Sequence, residues 1–235
     1  MSTTESEQPK NQRNTPGKGE RKKQDILNTA AQLFFAKGYA ATTVQDILDI
    51  LGCSKGSFYH HFESKLDVLT TIAQQHAFLS RADYGSQKPG EPLAAMNLLL
   101  HYASLLRLDE IGLIRSLAAL SHHQEGAILQ NALHEAAFLA FFWDFEETAF
   151  TLKQAEKAVF GSSDELIMAF HSFSSGCALI IREAAGMESS GVKMRVIQLM
   201  RALRRQTDVS LGMMAGSLPI TSNAELLEIL NKINR

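Results

Sequence analysis

Lys55, Ser57, Tyr59 and His60 lie within six residues of one another in the stretch SKGSFYHHF, and each ends in a group that can donate a hydrogen bond. Lys55 can reach a phosphate or a guanine edge. Tyr59 and His60 can donate to phosphate, or touch a base edge or a thymine methyl. Ser54 adds a hydroxyl, and Gly56, lacking a side chain, lets another backbone come close. Phe58 and Phe62 interrupt the polar run at a spacing of four. On a helix that spacing puts both rings on one face as anchors and leaves the polar tips mostly off it. The chemistry of the set is recognition of a phosphate-bearing polymer.

Such tips work only on a short helix held rigidly, and the flanking sequence supplies the punctuation for one. From about Glu20 a helical pattern runs through Leu27, Ala30, Ala31 and Phe34, and Gly38 suits its C-terminal cap. Thr43 caps a second helix with Val44, Ile47, Leu48 and Leu51 facing inward, and Gly52 breaks it. Ser54 caps the short third helix through about His60, and Ser64 caps a fourth running to about Ala82. Helix, tight turn and short helix together form a device for entering the DNA major groove. The free N–H groups at Thr43 and Ser64 can receive phosphates. Lys65, in the first turn of the fourth helix, opposes the helix dipole, and phosphate is its expected partner.

Charge is divided along the chain. Nine basic and five acidic residues lie between Lys10 and Lys65, whereas residues 66–235 hold fourteen basic and eighteen acidic. A basic head on an acidic body points to a polyanion at the head. Residues 1–18 are polar and contain Pro9, Pro16 and Gly17, as a disordered tail would. Arg13 to Lys23 are placed to add phosphate or minor-groove contacts. Cys53 and Cys177 show no paired spacing, so a reducing compartment is expected. The first twenty residues hold no apolar signal core, and no apolar run is read as long enough to span a membrane. The expected location is cytoplasmic, with no membrane partner.

At these residues the chain resembles the TetR family of transcriptional regulators. The resemblance rests on Leu33-Phe34, Gly38-Tyr39, Thr42-Thr43-Val44, Ile47, Gly52, the run Ser54 to Phe62 and Ser64-Lys65, nearly in order over residues 20–70. It implies that Thr43, Lys55, Tyr59, His60 and Lys65 occupy DNA-contacting positions; Ser54, Gly56 and Ser57 complete the candidate set. Leu48 and Leu51 stand where the family usually has alanine, and Cys53 where it usually has valine. These positions should be buried, so the departures bear on helix spacing.

Beyond a break at residues 83–92, apolar-periodic segments suggest helices near 92–108, 111–122, 125–160, 163–185, 189–207 and 223–234, making the fold all-α. The helix near 163–185 carries two apolar stripes, Ile167-Phe170-Ser174-Cys177-Ile181-Ala184 and Leu166-Ala169-Phe173-Gly176-Ile180, so it needs cover on two sides. Its small middle, residues 174–178, permits close approach. Val192, Val196, Leu199 and Leu203 stripe the next helix. These two helices are an internal core pair or, as the resemblance implies, a homodimer interface. Phe138, Phe141, Phe142, Phe145 and neighbouring aromatics crowd one stretch, and His101, Tyr102, His122, His123 and His134 could supply polar groups to a pocket. His76 and Phe78 lie on the helix joining head to body. The candidate ligand set is therefore His76, Phe78, His101, His122, Phe138, Phe141, Phe142 and Phe145.

Other chemistry finds little support. Adjacent histidines point about 100° apart on a helix and suit one ion poorly, and His134-Glu135 has Phe138 where a zinc-protease helix needs histidine. Nucleophile-elbow, P-loop and dinucleotide motifs are absent, so no catalytic residue, metal or cofactor is expected. Arg195, Arg201, Arg204 and Arg205 fit a solvated face pairing with acids such as Glu183 and Glu188. The expected organisation is a tail (1–18), a helix-turn-helix DNA-binding unit (19–66), a helical effector-binding and dimerisation unit (67–210) and a C-terminal extension (211–235). The expected function is a homodimeric repressor released from a double-stranded operator by a small effector. The alternatives are an activator of the same fold and a helical ligand-binding module without DNA binding.

Overall fold

Three side-chain caps set the geometry of the head in the computed structural model, which describes residues 17–120, 124–185 and 190–233. Thr43 Oγ1 accepts from the Asp46 N–H at 3.1 Å, Ser54 Oγ from Ser57 at 3.3 Å and Ser64 Oγ from Asp67 at 3.1 Å. Each satisfies a backbone donor that a helix start would leave unpaired. After α1 (Lys18–Lys37) they start α2 (Val44–Leu51), α3 (Lys55–Tyr59) and α4 (Lys65–Gln87). Gly52, at φ 57° and ψ 39°, turns the chain between α2 and α3 in the left-handed region that glycine adopts without steric cost. Ile26, Leu27, Ala30, Phe34, Ile47, Leu48, Phe58 and Phe62 bury together beneath the turn. Leu51 and Cys53, expected buried, are only half covered, since the five-residue α3 shields little of the end of α2.

The body comprises α5 (Pro92–Ala103), a 3₁₀ turn (Leu108–Glu110), α6 (Ile111–Leu120), α7 (Gln124–Gln154), α8 (Ser163–Ala185), α9 (Ser190–Ser210) and α10 (Asn223–Ile233). Every regular element among the described residues is helical, as the periodicity predicts. The tail through residue 16, with Arg13, and also His122, His123 and Glu188 lie outside the described residues. Three boundaries differ from the sequence reading for identifiable reasons. Helix α4 runs to Gln87 because Tyr84 is wholly buried, 6.3 Å from the Phe141 ring and 6.5 Å from Tyr102, so packing carries the last turn through Gly85. Helix α5 stops at Ala103 because Ser104 Oγ accepts from the Leu106 N–H and Leu105 takes a left-handed φ of 58°. Helix α7 stops at Gln154, short of residue 160, where Glu156 takes a left-handed φ of 59° and the Lys157 N–H donates to the Leu152 carbonyl at 2.9 Å.

By length and mean hydropathy, 1.2 over its most apolar window, α8 could cross a membrane, which corrects the sequence expectation that no run would qualify. Its stripes are instead covered by α6 and α7 on one side and by α9 and α10 on the other. A Cβ on Gly176 would collide with the Leu203 side chain, so part of the small middle of α8 serves contact with α9 inside one chain. The segment after α9 is woven into the body. Ile220 N–H donates to Asn97 Oδ1 at 2.7 Å and Thr221 Oγ1 to the Leu106 carbonyl at 3.2 Å. Leu226, Ile229 and Leu230 of α10 are buried where it packs on α6 and α9.

Candidate nucleic-acid interface

The two rings that anchor α3 lie on its inner side. Phe58 is fully buried and Phe62 nearly so, with centroids 6.0 Å apart. Tyr59, next to Phe58 in sequence, points outward with 56% of its surface exposed, its ring edge-on to Phe58 at 5.3 Å. Lys55, Gly56, Ser54 and His60 are exposed, and Ser57 is half-buried. A Cβ on Gly56 would meet nothing nearer than Ser54 Oγ at 3.8 Å, so nothing inside the chain requires a glycine there. Ser54, though exposed, is the cap of α3, its Oγ accepting from the Ser57 N–H. Lys55, Gly56, Tyr59 and His60 thus share one solvent-facing edge, and two more of the sequence-predicted residues serve the fold.

Those two are Thr43 and Lys65. Thr43 is committed to a capping box, its N–H and Oγ1 both donating to Asp46 Oδ2, at 2.6 and 2.8 Å. Lys37 Nζ sits 2.8 Å from the same oxygen and, with the Thr43 donors, holds the Asp46 carboxyl far below the usual carboxylate range. The start of α2 therefore already carries an anion of its own. Lys65 Nζ, expected on phosphate, donates to the Tyr39 and Thr42 carbonyls at 2.9 and 2.8 Å and lies 4.0 Å from the Tyr39 ring centroid. Its cation ties α4 to the turn between α1 and α2.

A concavity of about 750 Å³ lies beside α3, lined by Lys18, Arg21, Lys22, Asp25 and Ser57. It brings the basic first turns of α1 to the edge that carries the α3 tips. Three cations in one shallow depression next to exposed donors form a surface suited to a phosphate backbone.

The candidate ligand residues do not converge. Phe78 is 54% exposed on the outer face of α4. His101 faces the C-terminal segment, Nδ1 3.2 Å from Thr221 Oγ1, and burial lowers its pKa. Phe141 and Phe145 are buried core, and Phe138 stacks on Phe142 at 4.6 Å. Phe138, Phe142 and Phe145, spaced four and three residues apart, share one face of α7 and all meet the Phe170 ring of α8 at 5.3–6.1 Å, so they serve the packing of α7 on α8. His76 lines a separate cavity of about 240 Å³ at the junction of α1, α4 and α6, and its Nδ1 lies 3.0 Å from Glu110 Oε2. A narrow, partly open cleft in the body, about 40 Å³, is walled by Leu105, Leu117, Leu133 and Ile181, with Gln130, His134 and Ser174 as polar lining. Its signal in the sequence is the small residues Ala137, Ser174 and Ala178, which leave room between α7 and α8.

Residues 26–72 match the family described as bacterial regulatory proteins, tetR family. The HTH-type transcriptional repressor KstR2 of Rhodococcus jostii is 47% identical over 58 residues, 25% of this chain and 28% of that one. The HTH-type transcriptional regulator TtgR of Pseudomonas putida is 30% identical over 117 residues, 48% of this chain and 54% of that one. The chain thus spans about half or less of the length of the curated relatives it matches. Among solved structures, one from Syntrophomonas wolfei described as a TetR-family transcriptional regulator superposes with a TM-score of 0.59 at 14% identity, covering 85% of this chain and all of that one. RolR in complex with resorcinol superposes at 0.53, also at 14% identity, over 91% of this chain and 94% of that one. At such identities the likeness is one of fold.

Proposed function

We propose that this chain, whose head belongs to the tetR family of bacterial regulatory proteins, is a DNA-binding transcriptional regulator that works as a homodimeric repressor and lets go of its operator when a small molecule occupies the body. The observation that carries the reading is the edge formed by Lys55, Gly56, Tyr59 and His60 beside the cationic start of α1. Each subunit lays α3 in the major groove of one half-site, while Lys18, Arg21 and Lys22 take phosphates alongside. The name of the repressor KstR2 supports the sign of regulation, and the resorcinol complex of RolR supports a ligand-responsive body in this fold.

Two half-sites call for a two-fold symmetric reader. The outer faces of α8 and α9 suit that role. Ser172 and Gln206 join the two helices side by side, and the exposed Met168 and Val209 flank that join. Effector binding changes head spacing only if the ligand prefers one arrangement of α4 over the other. Footprinting on DNA upstream of the coding sequence tests the reading. It predicts two protected half-sites whose centres lie one helical turn apart, or a multiple of it. Unprotected DNA would favour the helical module without DNA binding.

A further inference from the structure

We infer that the cavity between α1, α4 and α6 binds a small organic cation, an ammonium or amidinium group on an apolar body, with the Glu110 carboxylate as its counter-charge. The site is separate from the body cleft, and the inference stands whether or not the chain reads DNA. The chamber, about 240 Å³, is walled by Ala31 and Phe34 of α1, Leu69 and Ile72 of α4 and Leu113 of α6. A cavity of roughly 150 Å³ already holds benzene, so a ring with a short side arm fits here. His76, Asp109 and Glu110 supply polar lining, and no Lys or Arg is among the described residues that line the chamber.

The distribution of charge favours a cation. Arg107 serves two carboxylates, its Nη2 lying 2.8 Å from Asp109 Oδ2 and 3.0 Å from Glu110 Oε1. It also donates to the Tyr102 carbonyl at 3.3 Å and lies 4.4 Å over the Tyr102 ring, which holds it behind the acids. Ser80 Oγ donates to the same Glu110 oxygen at 3.3 Å. Glu110 Oε2 is left, among the described residues, with the His76 imidazole alone, 3.0 Å away. When His76 is neutral, the cluster keeps one negative charge on a side chain only 4% exposed. A buried charge without a counter-ion is costly, and a cation entering beside the partly exposed His76 would offset it. The titratable groups facing the chamber are His76 from α4 and Asp109 and Glu110 from the 3₁₀ turn, with Arg107 behind them; α1 and α6 line it with none. The Arg107 hydrogen bond lowers the Asp109 pKa and keeps that acid ionised. A proton on His76 and a ligand cation therefore compete for one oxygen, and binding tightens as pH rises and His76 loses its proton.

Calorimetric titration of the full-length protein at pH 8 with benzylammonium, benzyl alcohol and benzoate holds the ring constant and varies the charge. Benzylammonium is expected to saturate one site per chain and to bind at least tenfold tighter than either of the others. Its affinity should fall at least threefold between pH 8 and pH 6 in wild type and stay level in His76→Gln, which has no proton to compete. Glu110→Gln should weaken it at least tenfold. Ala31→Leu, which fills the chamber and leaves every charge in place, should abolish binding while the protein still melts cooperatively. Absence of saturable benzylammonium binding overturns the inference. So does benzyl alcohol or benzoate that binds as tightly, or a pH dependence that persists in His76→Gln. Benzylammonium binding that survives Ala31→Leu, or that Ser174→Leu in the body cleft removes, places the ligand elsewhere and overturns it too.

Discussion

Phe58 and Tyr59 are adjacent in the chain and opposite in role. Phe58 has no exposed surface, so Phe58→Ala should cost about 3–5 kcal/mol of stability by leaving a cavity under α3, measured by denaturant unfolding. Tyr59 lies on the exposed edge, and Tyr59→Ala should leave unfolding nearly unchanged while weakening operator binding by roughly 1–3 kcal/mol. Lys65 separates the same two kinds of effect. Its ammonium holds the Tyr39 and Thr42 carbonyls, so Lys65→Met should lower stability by on the order of 1–3 kcal/mol. The same variant should leave the salt dependence of DNA binding unaltered; a slope shallower by about one unit would return Lys65 to the phosphate. The α3 tips were legible because the spacing of Phe58 and Phe62 decides which side of a helix faces out. The role of Lys65 was not legible, because its partners lie 23 and 26 residues upstream and meet it only once α1 and α4 have packed.

At the scale of elements, the segment between α5 and α6 links the cleft to the head. Ser104 and Leu105 line the cleft, and Arg107 follows two residues on. Arg107 is almost wholly buried and donates to Glu110 Oε1 at 3.0 Å and to Ser80 Oγ of α4 at 3.3 Å. Glu110 also meets His76 of α4, and this hydrogen bond raises the His76 pKa above its ordinary value of 6.5. A raised folded-state pKa means that the protonated pair stabilises the fold fully below about pH 6.5, and that this contribution is lost as pH rises through the folded-state value. The difference in melting temperature between wild type and His76→Gln should therefore shrink between pH 6 and pH 8.5. A difference that stays constant or grows would show that the His76–Glu110 pair does not supply this stability. Comparing the two proteins cancels His101 and His134, whose lowered values act in the opposite direction. Helix existence was legible from the 3.6-residue period. The stop at Ala103 and the extension through Tyr84 were not, because a hydroxyl bonded two residues ahead and a ring buried by α7 override the local pattern.

At the scale of the whole molecule, the proposed dimer must use a surface that the core of one chain leaves free. Both apolar stripes of α8 are used internally, so the residues left for association are the exposed ones. Met168→Asp combined with Val209→Asp should shift sedimentation from dimer to monomer with little change in secondary structure, since both side chains are more than 70% exposed. A dimer of unchanged affinity would move the interface elsewhere. The division of charge between head and body was visible in the sequence, and the fold gathers Lys18, Arg21 and Lys22 beside α3. That concentration of cations is the basis of the central claim, and fluorescence anisotropy of labelled upstream DNA across a salt series tests it most directly. Saturable, sequence-selective binding that weakens by roughly a thousandfold or more between 50 and 200 mM salt is the predicted result. Binding without sequence preference, or with an affinity that does not fall as salt rises, would contradict it.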